Sequence, residues 1–413
     1  MPLDFPLTRA DALRRWQDFL PQASRYAGSR NFVQPSHEHV SRLSSAIRLG
    51  LMHPEEIVRD TLAQHAWPKV EKWLQEICWR TYWKGWLEMR PQVWRSWRRQ
   101  LHDWKQQLPA ETLARAQAVS EGRSGVAVMD AFARELRDTG YLHNHARMWW
   151  ASFWIHEERL PWELGAEFFF QHLLDADPAS NTLSWRWVAG LQTAGKTYLV
   201  RRSNLEKYAS PSLLTDRTGL ERLEDGLVKP CPPGQSVDLT PQSLPDLPCQ
   251  PPALPRKVGL WLHPDDLNAE NSPLHTIQPV SAAAFFVEPA YVRYGLSRLR
   301  TQSLQTALQD GLQRAGKHFS CPAHFSATED IARSFREWVQ REQLEAVVAL
   351  APAVGPVSDT LAAIRDALGP VPLILVRRPW DSQLFRHARS GFFPFWEKTS
   401  RWLSSEFSSL SPA

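Results

Sequence analysis

The apolar positions of this chain change period near its middle. Over residues 8–20, Ala12, Leu13, Trp16, Phe19 and Leu20 recur every three or four residues behind Thr8, which predicts a capped helix. A second helical pattern runs from Ser41 to Leu51. The break at Met52 to Glu56 opens another, with Pro54 early and two acids in the first turn. Val70, Trp73, Leu74, Ile77, Cys78 and Trp86 put one apolar stripe on a helix over 68–86. Helices are also predicted over 110–119, 126–139, 143–158 and 162–174, and no alternating pattern precedes residue 190. Beyond 257, short apolar runs at 257–262, 282–287, 346–350 and 373–376 alternate with helical patterns at 297–315, 328–341 and 358–368. Such alternation predicts a parallel sheet with right-handed crossovers, a Rossmann-like α/β domain. No G-x-G-x-x-G follows the first run, so a dinucleotide fingerprint is absent.

Residues 229–256 read KPCPPGQSVDLTPQSLPDLPCQPPALPR, too rich in proline for a helix or a central strand. The expected organisation is an all-helical domain over 1–227, an extended linker over 228–256, an α/β domain over 257–404 and a flexible tail over 405–413. A chain of 413 residues can bury two such cores. The net charge of +4 predicts little about partners. Its clustering says more: Arg90, Arg95, Arg98, Arg99 and Lys105 fall among Trp94, Trp97 and Trp104. That pattern suits a nucleic-acid backbone with stacking bases, or equally an exposed helix face over packed tryptophans. Four cysteines without C-x-x-C spacing argue against zinc or iron–sulfur ligation and fit a reducing cytoplasm. No leader pattern and no apolar run of about 20 residues is present, so a soluble, cytoplasmic protein is expected.

The most informative stretch runs from Gly140 to Trp187. Arg147 and the acids Asp175 and Asp177 sit among Trp149, Trp150, Trp154, Trp162, Trp185 and Trp187. Two helical patterns flank DADPASN, whose residues favour a turn. Arg147 and Asp175 could form a charge-assisted pair in an aromatic wall, as a structural device or as part of a cofactor site.

HNHARM followed by ASF, DADPASN and WRW resembles the flavin-binding core of the photolyase/cryptochrome family. Glu76 to Arg80 matches its E-x-x-W-R helix, and Ser124 with Gly125 to Asp130 matches its T-G-x-x-x-x-D-A run with Ser for Thr. The resemblance implies an FAD cofactor. It would be held by Tyr26, Ser41, Arg42, Leu43, Ser44, Glu76, Arg80, Asn144, Arg147, Asp175, Asp177 and Asn181, with Asn181 beside the reactive flavin nitrogen. It further implies a pocket for a cyclobutane pyrimidine dimer at Glu76, Trp79, Asn144, Met148 and Trp187, where Glu76 could supply a proton. His143-Asn144, where the six-four branch carries a histidine pair, favours the cyclobutane dimer. Trp185, Trp162 and Trp104 fall on the family's electron-transfer tryptophans, although residues between Trp104 and Gly125 look like an insertion.

The α/β half resembles the family's antenna domain, through KVGLWLHPDDLNAENSPL at its first strand and GFFPFWEKTSRW near its end. The domain order is reversed, as in a circular permutation. Two departures stand out. The run after Trp187 lacks the family's F-R-x-F-N-P-like segment. Residues 350–358 read LAPAVGPVS in place of a polar chromophore loop, which leaves an antenna chromophore doubtful. The expected activity is light-driven repair of pyrimidine dimers in DNA by a monomer, with reduced FAD lending the dimer an electron. A cryptochrome-like photoreceptor without repair activity is the alternative, and a flavoprotein that binds DNA without repair a third.

Overall fold

The computed structural model describes residues 5–193, 197–223 and 237–410. Residues 224–236, which contain the expected boundary at 227, and the last three of the expected tail lie outside the described residues. The helices are, in chain order, α1 (Arg9–Phe19), α2 (Tyr26–Ser29), α3 (Ser44–Arg48), α4 (Pro54–Gln64), α5 (Trp67–Glu88), α6 (Pro91–Gln107), α7 (Ala110–Ser120), α8 (Ala127–Thr139) and α9 (Asn144–Ser152). A π-helical turn over Phe153–Glu157 extends α9, and α10 (Trp162–His172), α11 (Pro178–Val188) and α12 (Arg202–Tyr208) follow. Among the described residues no strand precedes Val258. From there, strands β1 (Val258–Leu262), β2 (Ser281–Val287), β3 (Ala323–Thr328), β4 (Ala346–Leu350) and β5 (Leu373–Val376) are interspersed with α13 (Glu288–Arg293), α14 (Arg298–Phe319), α15 (Ile331–Glu342), α16 (Leu361–Leu368), α17 (Pro379–Phe385) and α18 (Phe392–Glu406).

The sheet is parallel throughout, in the order β3-β2-β1-β4-β5. β1, β2 and β4 are near-continuous apolar runs because both faces are covered. Trp261, Phe285, Phe335, Trp338, Val347 and Ile364 form the core of one face. β3, reading AHFSAT, is absent from the sequence expectation. It is an edge strand, half-exposed along its length, so its polar residues meet solvent and hide the strand in the pattern.

The chain divides into two compact units, with one boundary at Thr240/Pro241, inside the proline-rich segment, and others at Ser24/Arg25, Arg42/Leu43 and Met89/Arg90. One unit contains Arg25–Arg42 and Arg90–Thr240; the other contains Phe5–Ser24, Leu43–Met89 and Pro241–Ala413. Helices α1, α3, α4 and α5 therefore belong with the parallel sheet. The reason lies at the carboxyl ends of β1 and β5. Arg378 is 6% exposed and grips Asp266 through two hydrogen bonds of 2.6 and 2.9 Å, and it also donates to the carbonyls of Asn268 and Asn271. Arg48 reaches the same loop, donating to Pro264 O at 2.7 Å and to Asp265 at 3.1 Å. Arg377 pairs with Glu88 of α5 at 2.9 Å, and Asn268 donates to Glu56 of α4 at 2.8 Å. Gly50, in the left-handed region at φ 66°, has no room for a Cβ because the Asp266 backbone would lie 2.7 Å away.

The segment after 237 is extended, as proline demands. Its carbonyls do the bonding: Leu239 O accepts from Arg90 at 2.6 Å within the first unit. Pro245 O accepts from Arg377 at 3.0 Å within the second.

Burial alone would raise the Asp266 carboxyl, but Arg378 outweighs it and holds the group at about 2. Arg378→Met should therefore cost about 3–5 kcal/mol, read by chemical denaturation, since it strands a buried carboxylate. With its folded value below the unfolded one, Asp266 adds stability above about pH 4 and loses it as pH falls toward 2, an acid effect of about 2 kcal/mol in the wild type that the variant should lack.

Candidate functional site

In the first unit, α8 stops at Gly140, which takes the left-handed conformation at φ 70°, and Gly140 O accepts from Leu174 N at 2.9 Å. That bond brings the segment between α10 and α11 alongside the start of α9. His143 caps α9, its Nδ1 accepting from His145 N at 3.1 Å. One turn on, Arg147 donates through Nη1 and Nη2 to the two oxygens of Asp175, each at 3.0 Å, and through Nε to Leu142 O at 2.7 Å. Asp175 is 5% exposed. The pair expected from the sequence is thus formed, bidentate and largely buried, with the guanidinium 5.5 Å above the Tyr141 ring.

Two N–H groups near this clamp lack partners. His143 is buried, and because its Nδ1 accepts, its Nε2 carries the proton and finds no acceptor. Burial, then the positive fields of His37, His145 and Arg147, push its pKa down to about 3, so it stays neutral. Arg42 has a buried Nε without a partner and sits in the left-handed region at φ 56°, uncommon for a residue with a Cβ. It is close enough to Tyr141 to act on that hydroxyl electrostatically. Buried donors left open in this way suit an acceptor-rich ligand, and FAD, with its diphosphate and ring carbonyl oxygens, fits them.

DADPASN is not a simple turn. Asp177 is the N-cap of α11, accepting from Ser180 N at 2.8 Å and from the Ser180 hydroxyl at 2.8 Å, with Pro178 at the first helical position. Asn181 therefore stands inside the first turn of α11. It is 7% exposed, and its amide donates to Ala166 O of α10 at 2.8 Å. Trp185, one turn further, is buried edge-on to Phe169 (5.0 Å) and Trp150 (6.2 Å). Gly165 makes this packing possible, since a Cβ there would lie 2.3 Å from the Trp185 ring. Trp162 is buried beneath Arg186, whose guanidinium lies 6.0 Å from the ring centroid. Trp104 is half-buried, with its indole N–H sealed from water.

The remaining candidates are placed as follows. Tyr26 opens α2, half-buried. Asn144 is exposed at the start of α9, while Met148 and Trp187 are half-buried, Trp187 against Tyr198 at 5.7 Å. Ser41 is half-buried in the first unit. Leu43, Ser44, Glu76, Trp79 and Arg80 belong to the second unit. There Leu43 is buried and Ser44 begins α3. Glu76 lies 3.6 Å from Lys72, one turn back on α5, and Arg80 is half-buried on the same helix. Trp79 stacks face to face on Phe392 of α18 at 3.7 Å and 8°, so one of its faces is already covered. The basic helix α6 has Trp94 and Trp97 wholly buried, which selects the packed-tryptophan alternative for those two rings and withdraws them from base stacking. The roles of Phe392, Glu163 and Arg186 escape sequence reading, although a Glu directly after Trp162 at the head of an apolar helix is a visible anomaly.

A helical domain with a buried Arg–Asp clamp, aromatic walls and open buried donors is built to hold a polar cofactor. Residues 73–211 match the family model described as the FAD binding domain of DNA photolyase. Over this stretch the chain is similar to the photolyase/cryptochrome family. It is 29% identical over 202 residues to the deoxyribodipyrimidine photo-lyase of Escherichia coli, covering 47% of this chain and 42% of that one. It is 36% identical over 206 residues to that of Thermus thermophilus, covering 48% and 46%. The chain thus spans less than half the length of these relatives. A bacterial class III photolyase from Agrobacterium tumefaciens aligns with a TM-score of 0.42 and 28% identity, over 49% of this chain and 42% of that one. No described helix is long and apolar enough to cross a membrane.

Asp175→Asn should weaken FAD retention by about tenfold or more, because it removes the charge that Arg147 pairs with and one of the two acceptor oxygens of the clamp. Fluorescence of flavin released on dilution measures this, and unchanged retention would remove the clamp from the site.

Proposed function

We propose that the chain is an FAD-dependent enzyme that uses blue light to split cyclobutane pyrimidine dimers in DNA. The observation that carries this reading is the bidentate, buried Arg147–Asp175 clamp lying inside the stretch that matches the photolyase FAD domain. Bound FAD would supply light absorption and a one-electron donor. The chain's own residues do the remainder. Arg147, Asp175 and Asn181 orient the ring system, while Tyr26, Ser41, Arg42, Leu43, Ser44 and Arg80 take the rest of the cofactor, and Asp177 holds α11 in place. Trp79, Asn144, Met148 and Trp187 receive the flipped lesion, and Glu76 hydrogen-bonds its edge and can give it a proton. Trp185, Trp162 and Trp104 form a path along which indoles pass an electron inward. Flipping is least costly at a damaged, poorly stacked step, which selects the substrate. The domain order is read as a circular permutation, in support of which the matched FAD stretch ends at residue 211 and the sheet begins at Val258.

One observation favours the second reading, a blue-light photoreceptor. One face of Trp79 is stacked on Phe392 and so is closed to a base. Illumination of the reduced protein with a dimer-containing oligonucleotide separates the two readings. Recovery of thymine absorbance, with faster recovery in Phe392→Ala, is the expected result. No recovery beside intact flavin photoreduction would leave the photoreceptor.

A further inference from the structure

Two charged side chains buried among the tryptophans of the first unit have no task in the reading above. Glu163 opens α10 directly after Trp162 and is 2% exposed, and Arg186 follows Trp185 on α11 and is 5% exposed. Charges so deeply placed persist only beside groups that offset them. Arg186 lies over the ring of Trp162. Glu163 lies within electrostatic reach of the indole N–H of Trp104, which is buried and makes no full hydrogen bond. That N–H is sealed from water while the Trp104 ring itself is half-exposed on α6. A cation thus stands over the middle indole and a carboxyl beside the outer one.

An indole that has lost an electron is a radical cation, and its N–H becomes a strong acid. A guanidinium over Trp162 makes positive charge there costly, whereas a carboxylate beside Trp104 favours it. A surface indole would ordinarily give its proton to water, but the N–H of Trp104 faces inward. We infer that Glu163 is the proton acceptor for oxidised Trp104 and that, with Arg186, it fixes the outer end of the electron path. The inference rests on the reading of Trp185, Trp162 and Trp104 as that path. The step balances as follows. One electron leaves the Trp104 ring for oxidised Trp162, whose own electron has passed through Trp185 to a light-excited, oxidised flavin. The Trp104 N–H bond breaks, its proton joins a carboxylate oxygen of Glu163, and a neutral indolyl radical and a neutral carboxylic acid remain.

The surroundings of Glu163 agree. Burial lifts its carboxyl to about 7, against the opposing pull of its own backbone N–H, of Trp104 and of Arg186. From α6, Trp97 donates its indole N–H to the Glu163 backbone carbonyl at 3.3 Å. One turn along α10, Glu167 is already paired with Lys105 at 2.6 Å. The accepting, ionised form of Glu163 therefore prevails above about pH 7 and is lost below it.

The test follows the Trp104 radical in the flavin-loaded full chain, taken as the difference between the wild type and Trp104→Phe. The radical is generated in two ways: by a blue flash, and in the dark by azide radicals from pulse radiolysis, which need no flavin chemistry. In the wild type the cation should convert to the neutral radical at a rate independent of buffer concentration and slower below pH 7. Glu163→Gln should lengthen the life of the cation by about tenfold or more and make its decay depend on buffer, and Glu163→Asp should restore part of the rate. Equal decay in the wild type and Glu163→Gln overturns the inference. Should the Gln variant fail to fold, a wild-type decay unaffected by pH between 5 and 9 overturns it as well. A Glu163-dependent decay seen with azide radicals but no Trp104 signal on the flash would retain the acceptor and discard the electron path.

Discussion

The second unit hangs on the burial of opposite charges at the carboxyl end of a parallel sheet. A parallel β–α arrangement leaves a crevice where the chain crosses from one side of β1 to the other. Here the crevice is lined by paired charges. Arg378 grips Asp266, Arg377 grips Glu88 and Arg48 grips Asp265. Each partner alone would be an uncompensated charge in a dry place, so the elements that carry them stay together. In consequence the position of α5, which bears Glu76, Trp79 and Arg80, is set by residues more than 170 places further along the chain.

The first unit solves a related problem in the opposite way. Arg147 and Asp175 satisfy each other, but Arg42 Nε and His143 Nε2 are left open. Unsatisfied buried donors weaken a fold unless something else completes them. The second unit lines its crevice with paired charges, and the first leaves the Arg42 and His143 donors open.

Much of this was legible in the residues. Strands β1, β2, β4 and β5 announce themselves as apolar runs, and the Arg147–Asp175 pair is implied by two charges set among tryptophans. What escaped did so for physical reasons. β3 is an edge strand with solvent-facing polar residues, so its pattern is that of a loop. Asp177 and Pro178 carry turn-forming tendencies that serve equally well to start a helix, and the helix prevailed. The stacking of Phe392 on Trp79 joins positions more than 300 residues apart, and no local period encodes it. The grouping of α5 with the sheet likewise depends on charge pairs between remote segments.

The packing of α5 against α17 also bears on how the chain is made. Gly85 has no Cβ because the Phe385 backbone would stand 2.8 Å from it, and the Trp380 indole donates to the Thr81 hydroxyl at 3.1 Å. During translation α5 leaves the ribosome long before those partners exist. At roughly 5–20 residues per second, the interval is on the order of a quarter of a minute to a minute. For that time an aromatic helix waits without the partners that cover it in the finished fold.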